Sequence, residues 1–338
     1  MERKNIKYLV ISIVISLVAI VILLSGTFNV KSLEYLLRIN LYFVGLALLL
    51  HILYFMFWAA RIKVMSGSLN MKLKYLDSLK IVLVNIFAAT VTPTNVGGEP
   101  VRIKMLMDKG FTGGDATGLV VSERVMDAIF LLSVAPLLFF IYSSYRNMVI
   151  IYFIYGSILI LILLIILFLL LALRFNYFYR KMHKLEGVLK IFIKKEERRK
   201  KLINTLKEEY INFHYSVNNL FVKNRKRSIF VYFITAGMWI SDFVIFSVIL
   251  LAFGLNPIWI YSIFAQILIV FISMLPISPG GSGVVEFSAA IIYAVQIPAY
   301  MIGIVVLIWR LIVFYFNIAI GAVFTAHYFS TDPKKKKS

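Results

Sequence analysis

Two stretches of the sequence place proline, paired glycines and a glutamate between apolar runs. The first, residues 92–102, reads Thr-Pro-Thr-Asn-Val-Gly-Gly-Glu-Pro-Val-Arg, and the second, residues 275–286, reads Leu-Pro-Ile-Ser-Pro-Gly-Gly-Ser-Gly-Val-Val-Glu. Proline removes a backbone donor and glycine weakens a helix, so neither stretch suits a continuous lipid-facing helix. Backbone freed in this way at membrane depth must be buried in protein or line a watery cavity, because hydrocarbon offers it no hydrogen-bond partners. The fold is therefore expected to be organised around these two interruptions.

The composition indicates the environment of the apolar runs. Of the 338 residues, 61% are hydrophobic and 15% are charged, against roughly 45–50% and about 25% in soluble domains. We therefore predict an all-α polytopic membrane protein built as a single integral membrane domain. The sequence has no cysteine, which excludes disulfides and cysteine-ligated metals. The four histidines are scattered without the spacing of a metal site, so we expect neither a metal nor a cofactor.

The net charge of +20 follows the membrane topology. Lysines and arginines lie between the apolar segments and in the C-terminal Lys334–Lys337 tail, as the positive-inside rule predicts. Residues 174–227 contain 16 Lys and Arg against five Glu and are expected to form a cytoplasmic connection that also attracts anionic lipid. No soluble basic domain is visible, so we expect no nucleic-acid partner. The same distribution predicts a cell-membrane location with both termini in the cytoplasm.

Six apolar segments approach the length of about 20 residues that a membrane span needs. They cover about residues 8–24, 40–60, 115–142, 149–173, 228–253 and 300–328. The first has a poor cleavage site and is expected to remain as a helix. Basic residues from Arg61 onward are interpreted as the cytoplasmic end of the second span. The tryptophans fall near span ends or hairpin mouths, where interface anchoring is the expected role; they are Trp58, Trp239, Trp259 and Trp309.

Four shorter apolar segments flank the two interruptions. Residues 77–92 and 99–109 surround the first, and residues 258–275 and 284–297 surround the second. Half-length segments joined by a Pro-Gly turn are typical of re-entrant hairpins. We expect the first hairpin to open toward the cytoplasm and the second toward the outside. The predicted turn residues are Pro93, Gly97, Gly98, Pro276, Pro279, Gly280, Gly281 and Gly283.

The hairpins occupy corresponding places in two similar halves. The halves cover about residues 40–142 and about residues 228–328. In each, a glycine-flanked glutamate precedes an arginine in the next span: Glu99 and Arg124 are 25 apart (124 − 99), and Glu286 and Arg310 are 24 apart (310 − 286). Two halves of opposite orientation form an inverted repeat, which places a binding site near the membrane midplane.

Charged residues inside the apolar segments are the candidates for that site, because each costs several kcal/mol unless it is paired or hydrated. They are Glu99, Arg102, Glu123, Arg124, Asp127, Asp242, Glu286 and Arg310. One interpretation is structural, with Glu and Arg pairs that fasten the hairpins to the spans. The other is functional, with arginines that bind a phosphate and glutamates that face a cationic headgroup or carry a coupling proton.

The same motifs resemble the lysylphosphatidylglycerol synthase transmembrane-region family. They are Pro93-x-x-x-Gly97-Gly98-Glu99-x-x-Arg102, Glu123-Arg124-x-x-Asp127, Pro276-x-x-Pro279-Gly280-Gly281-x-Gly283-x-x-Glu286 and Arg310. In that family, the membrane region of the multiple peptide resistance factor moves aminoacylated phospholipid, and other members accompany polyprenyl-linked glycosyltransferases. The resemblance implies a lipid-headgroup path lined by Glu99, Arg102, Glu123, Arg124, Asp127, Glu286 and Arg310. Bifunctional members continue into a soluble aminoacyl-transferase domain, so synthesis of lysyl lipid is not expected here.

From these observations the sequence predicts a flippase-like or scramblase-like protein that translocates a polar lipid and is not an enzyme. The lipid partner is expected to be an anionic phospholipid or a polyprenyl-phosphate-linked lipid. One alternative is an accessory protein that positions a glycosyltransferase or a lipid synthase. Another is a membrane-embedded enzyme that acts on lipid phosphate, although the sequence offers no nucleophile or metal cluster for it.

Overall fold

The computed structural model describes residues 3–90, 97–142, 196–273 and 278–331, together with Thr92 and a few isolated positions. Within these ranges the chain is helical and contains no β-strand. The predicted span at 149–173, the first part of the basic connection and the turn prolines Pro93 and Pro276 lie outside the described residues. The predicted all-helical class is confirmed for the part of the chain that is described.

The described residues of the N-terminal half form six helices. They are α1 (Arg3–Thr27), α2 (Val30–Leu37), α3 (Leu41–Ser68), α4 (Tyr75–Thr90), α5 (Glu99–Met107) and α6 (Gly113–Tyr142). The short helix α2 was not predicted. It begins at Asn29, whose side-chain oxygen accepts from the Ser32 backbone N–H at 3.0 Å while Ser32 Oγ accepts from the Asn29 N–H at 3.0 Å. This reciprocal capping satisfies two backbone donors and starts the helix immediately after α1.

In the C-terminal half, the part of the chain that the structure describes forms seven further helices and three short helical turns. The helices are α7 (Glu196–Asn218), α8 (Arg225–Phe243), α9 (Ile245–Ala252), α10 (Trp259–Ser273), α11 (Val284–Tyr293), α12 (Ala299–Arg310) and α13 (Phe316–Thr331). The turns are two π-helical segments, Asn219–Lys223 and Leu311–Tyr315, and a 3₁₀ segment, Pro279–Gly281. The second π segment joins α12 to α13 without a break, so the two form one long rod with a widened turn.

Among the described residues, four stretches of helix are long and apolar enough to cross a membrane, namely Tyr8–Thr27, Leu41–Ser68, Arg225–Ala252 and Ala299–Tyr328. They correspond to four of the six predicted spans. The fifth predicted span is the 30-residue helix α6. It contains the charged residues Glu123, Arg124 and Asp127. A helix of this length reaches across a bilayer, since it measures about 45 Å at 1.5 Å per residue.

The two halves contain helices of similar length in the same order. Each has a long helix, two short helices and another long helix. The short helices are α4 and α5, with 16 and 9 residues, and α10 and α11, with 15 and 10 residues. This order is the one that the predicted repeat requires. The inverted orientation and the re-entrant path of each hairpin remain predictions.

The two glycine-rich turns contact each other. The backbone N–H of Gly280 donates to the carbonyl oxygen of Thr92 at 3.3 Å. Gly280, Gly281 and Gly283 have φ values of 60°, 68° and 81°, in the left-handed region that glycine adopts readily. A methyl group on Gly98 would lie 2.7 Å from the side-chain oxygen of Asn85. Glycine is therefore required here for backbone conformation in one turn and for close approach in the other.

The buried apolar residues form two large clusters, each of which draws residues from both halves. One is built mainly from the C-terminal part of α3 with α4, α5, α6 and α8, and the other mainly from α9 to α12. Helix α3 belongs to both, because Ala47 lies in the second cluster and Phe55 in the first. The two clusters are thus joined along α3, which packs against α8 and α9.

The basic connection is partly a packed helix. Its residues 196–218 form α7, which lies along α6. A side-chain oxygen of Glu209 accepts the backbone N–H of Gly114, and Ser216 Oγ donates to Asp115 at 2.5 Å. Gly114 and Gly118, one helical turn apart, face α7 and allow the two backbones to approach closely. One side of this segment is therefore occupied within the chain.

We expect Gly114→Ala and Gly118→Ala to lower the stability of the detergent-solubilised protein by about 1–3 kcal/mol, the usual cost of overpacking. The added methyl groups would lie 2.7 Å from Asn212 Cβ and 2.9 Å from Ser216 Cβ. The matched control is Gly45→Ala in α3, where a methyl group meets nothing within 4 Å. Thermal unfolding followed by size-exclusion chromatography measures the difference. Equal midpoints for all three variants would contradict close packing of α6 on α7.

Candidate functional site

Six charged side chains from α3, α5 and α6 meet in the first half of the structure. Three are arginines and three are carboxylates, so their formal charges cancel. They are Arg61, Arg102, Arg124, Glu99, Glu123 and Asp127. We call this group the first charge cluster. Its neutrality matters because an uncompensated ion away from water costs several kcal/mol.

Glu123 lies at the buried centre of the first charge cluster. Its Oε1 accepts from Arg61 Nε at 3.1 Å and from the indole N–H of Trp58 at 3.0 Å. Its Oε2 is 3.2 Å from Arg102 Nη1. Both Glu123 and Arg102 are fully buried. This carboxylate therefore links α3, α5 and α6 through ion pairs that water does not screen.

Asp127, one turn further along α6, links the cluster to the second half. Its Oδ1 accepts from Arg61 Nη1 at 2.5 Å and from the indole N–H of Trp239 in α8 at 3.0 Å. Its Oδ2 accepts from Arg124 Nη1 at 3.2 Å. Arg61 thus bridges Glu123 and Asp127 with two edges of one guanidinium, a geometry that lysine does not reproduce.

Two interpretations from the sequence were wrong at this cluster. Arg61 is not part of a cytoplasmic basic cluster, because it is 1% exposed and paired inside the protein. Trp58, Trp239 and Trp309 do not anchor the protein at a membrane interface, since all three are buried. A buried carboxylate needs hydrogen-bond donors, and the indole N–H of a tryptophan is one. The position of a tryptophan near a span end does not reveal such a carboxylate on another helix.

A second cluster surrounds Glu286, which is fully buried in α11. Its Oε1 accepts from Arg310 Nη2 at 2.7 Å and from Ser16 Oγ at 2.5 Å, and its Oε2 accepts from the backbone N–H of Gly283 at 2.8 Å. Tyr315 donates to Ser16 Oγ at 3.0 Å. Helix α1 therefore contributes to the site, which the sequence analysis missed. The available signal was a pair of serines, Ser12 and Ser16, on one face of an otherwise apolar helix.

The two halves make the same charged contact. In the first, Arg124 Nε donates to Glu99 Oε1 at 2.5 Å across 25 residues, and in the second, Arg310 donates to Glu286 across 24. Each pair fastens the second short helix of a hairpin to the following long helix. These are the contacts that the structural interpretation predicted. Their recurrence also supports the proposed repeat.

A cavity of about 270 Å³ lies between the two halves. Arg124 from the first half and Arg310 from the second both contribute to its wall. The remaining polar lining residues are His51, Asn85, Asp242, Gln266, Ser273, Thr90 and Asn317. Glu99 and Asp127 pair with Arg124, and Glu286 pairs with Arg310. The structure thus brings together arginines that are 186 positions apart in the sequence (310 − 124).

His51 is a cavity residue that the sequence analysis did not select. Its Nδ1 lies 2.9 Å from Asp242 Oδ1, and its Nε2 lies 2.8 Å from Asn317 Oδ1. The available signal was a histidine in the middle of an apolar span, a position where an ionisable group is rarely found without a role. Within the described ranges, no three His, Asp or Glu side chains are arranged to hold a metal ion.

The sequence matches known proteins over nearly its whole length. The model of the family described as lysylphosphatidylglycerol synthase TM region matches residues 9–321. A UPF0104 membrane protein from Archaeoglobus fulgidus is 30% identical over 325 residues, which are 93% of this chain and 94% of that protein. A UPF0104 membrane protein from Pyrococcus horikoshii is 23% identical over 329 residues, which are 94% of this chain and 96% of that protein. The matched region contains both charge clusters and the cavity.

Neutralising Glu286 is expected to destabilise the protein strongly. Glu286→Gln leaves the buried Arg310 guanidinium without its carboxylate, which typically costs about 3–5 kcal/mol. The matched control is Asp77→Asn, because Asp77 pairs with Lys109 at 2.7 Å and the Lys109 side chain is 43% exposed. An exposed pair of that kind is worth about 0–1 kcal/mol. Chemical denaturation in detergent compares the two variants, and equal losses would contradict the unscreened character of the Glu286 pair.

Proposed function

The chain belongs to the lysylphosphatidylglycerol synthase TM-region family of membrane proteins, and from this membership together with its charged cavity we propose that it translocates a polar lipid. The lipid headgroup passes through the cavity while the apolar tail stays in the surrounding bilayer. The protein acts in the cell membrane, with both termini in the cytoplasm. It makes and breaks no covalent bond in the lipid.

The observation that carries this proposal is the cavity between the two halves. Arg124 and Arg310 reach it from different halves, so an anion inside would contact both. Small-molecule sites usually have volumes of about 300–1,000 Å³. The cavity, at about 270 Å³, is near the lower end of that range and suits a phosphate-bearing headgroup better than a whole lipid.

Arginine suits this role because its charge is permanent and its donors form a planar fork. Two parallel N–H groups can bind two oxygens of a phosphate. Arg124 uses Nε and Nη1 for Glu99 and Asp127, and Arg310 uses Nη2 for Glu286. These pairs fix each guanidinium in place and lower its electrostatic cost. A phosphate would bind to the remaining donors and compete with the carboxylates, which favours passage over tight retention.

The arrangement of the two halves supports a mechanism of alternating access. The cavity is lined by residues from both halves, and the buried apolar residues of the protein fall into two separate clusters. Rocking of one half against the other would open the cavity first toward one leaflet and then toward the other, as in transporters with inverted repeats. The Gly280 to Thr92 hydrogen bond between the two turns would break and re-form during this motion.

Headgroup accessibility in liposomes tests the proposal. We expect reconstituted protein to expose labelled phosphatidylglycerol or a labelled polyprenyl phosphate to an external reagent faster than it exposes labelled phosphatidylcholine. The relative rates identify the lipid class. Arg124→Lys and Arg310→Lys keep the charge and lose the fork, and we expect each to slow movement by about tenfold, the effect of about 1.4 kcal/mol on a barrier. Lys109→Gln, which removes an exposed charge, is the control and should leave the rate unchanged.

Two outcomes would overturn the proposal. In the double variant Glu286→Arg with Arg310→Glu, the pair is kept and the cavity arginine is lost, so full retention of lipid movement would show that the pair only fastens helices. Selective binding of an anionic lipid without movement in the wild-type protein would favour an accessory role beside a lipid synthase or a glycosyltransferase.

A further inference from the structure

We propose that His51 and Asp242 together form a binding site for one proton, and that this proton controls the charge of the cavity. The proton site follows from hydrogen-bond geometry alone. Its effect on lipid rests on the proposed function. Glu99 and Glu286, the residues suggested by the sequence for a coupling proton, are committed to arginines in the structure.

The Asn317 amide, which faces His51, lies next to the widened helical turn Leu311–Tyr315. Its Nδ2 donates to the carbonyl oxygen of Val313 at 2.6 Å. Reversing the amide would place two oxygens at that distance, so the orientation of Asn317 is fixed by the backbone. Its Oδ1 therefore faces Nε2 of His51 at 2.8 Å as an acceptor. Nε2 must then carry a hydrogen.

The other ring nitrogen faces a second acceptor. Nδ1 of His51 lies 2.9 Å from Oδ1 of Asp242. A neutral imidazole has one N–H, and Nε2 already holds it. A hydrogen bond to Asp242 therefore requires one additional proton between Nδ1 and the carboxylate. With this proton on the ring, the two side chains form an ion pair of imidazolium and carboxylate at 2.9 Å. The observed geometry is that of the proton-loaded pair.

The site is enclosed by aromatic rings on one side and open on the other. His51 is 2% exposed, stacks parallel to Tyr54 at 5.7 Å and contacts Phe55 edge to face at 4.6 Å. The Asp242 side chain is 22% exposed and lines the cavity. Protons can therefore exchange with cavity water through the carboxylate, while the rings hold the imidazole in one orientation.

The charged groups around the pair determine the sign of the coupling. Besides Asp242 on α8, the cavity is lined by Tyr54 on α3, Arg124 on α6 and Arg310 on α12. The four arginines of the two clusters are balanced by their four carboxylates. The loaded His51–Asp242 pair is neutral, so the site as a whole is neutral. Loss of the proton leaves a charge of −1 beside the cavity.

This change of charge acts on an anionic headgroup. The unloaded pair repels a phosphate and competes with it for the two arginines, whereas the loaded pair does neither. An anion should therefore bind more tightly to the loaded form, and by linkage the bound anion should favour uptake of the proton. Proton and anionic headgroup would then move together, so that a proton gradient could drive lipid movement.

Nitrogen NMR of protein labelled in its histidines tests the proton site directly. His51→Asn identifies the His51 resonances by their loss. Spectra are recorded from about pH 5 to about pH 8, and in the wild type we expect the loaded pair to show hydrogen on both ring nitrogens of His51. In Asp242→Asn the amide can donate to Nδ1, so the fold is kept, and we expect a neutral ring with hydrogen on Nε2 over the same range. Coincident titrations in the two proteins, or a neutral ring throughout in the wild type, would overturn the proposal.

Lipid movement tests the coupling. We expect wild-type protein to move an anionic phospholipid at least about fivefold faster at the acidic end of this range than at the alkaline end, and Asp242→Asn to lose this dependence. His327→Gln, at an exposed position of α13, is the control and should keep it. Equal pH dependence in wild type and Asp242→Asn would overturn the coupling. If no protein moves lipid while His51 is doubly protonated, the proposed function fails and the proton site stands.

Discussion

Buried opposite charges in equal number are the constraint on which the structure depends. Arg61 is the clearest case, because one guanidinium in α3 binds Glu123 and Asp127 on α6 at 3.1 Å and 2.5 Å. None of these three side chains could be buried alone at an acceptable free energy. Removing any one would leave the others uncompensated in a region that water scarcely reaches. The helices must therefore assemble in the register that brings all of them together.

Neutral hydrogen-bond donors occupy acceptor sites of the buried carboxylates that the arginines leave empty. A carboxylate has about four acceptor sites, and a single arginine seldom fills them. Trp58 and Trp239 supply indole N–H groups to Glu123 and Asp127, while Ser16 supplies a hydroxyl to Glu286. Each donor comes from a helix other than the one that carries the carboxylate. The hydrogen bonds to these carboxylates thus depend on the tertiary structure, and through them α1 and α8 contribute to the site.

The same pairs connect architecture to the proposed activity. Glu99 and Glu286 hold Arg124 and Arg310 at the wall of a cavity that neither half could form by itself. The glycine turns contact each other through the Gly280 to Thr92 hydrogen bond, and Gly280 also lines the cavity. A polar cavity inside an apolar protein is costly to build. The proposed passage of a polar lipid headgroup would account for this cost.

The sequence by itself determined the helical membrane class, the family, the two interruptions and the charged residues of both clusters. These follow from composition, segment length and motif, which are local properties of the chain. The similar spacings of Glu99 from Arg124 and of Glu286 from Arg310, 25 and 24 residues, also indicated the two pairs. Only the tertiary structure decided that Arg61 is buried and that α7 packs on α6. It alone placed His51 between Asp242 and Asn317, because partners on distant helices leave no periodic trace in a sequence.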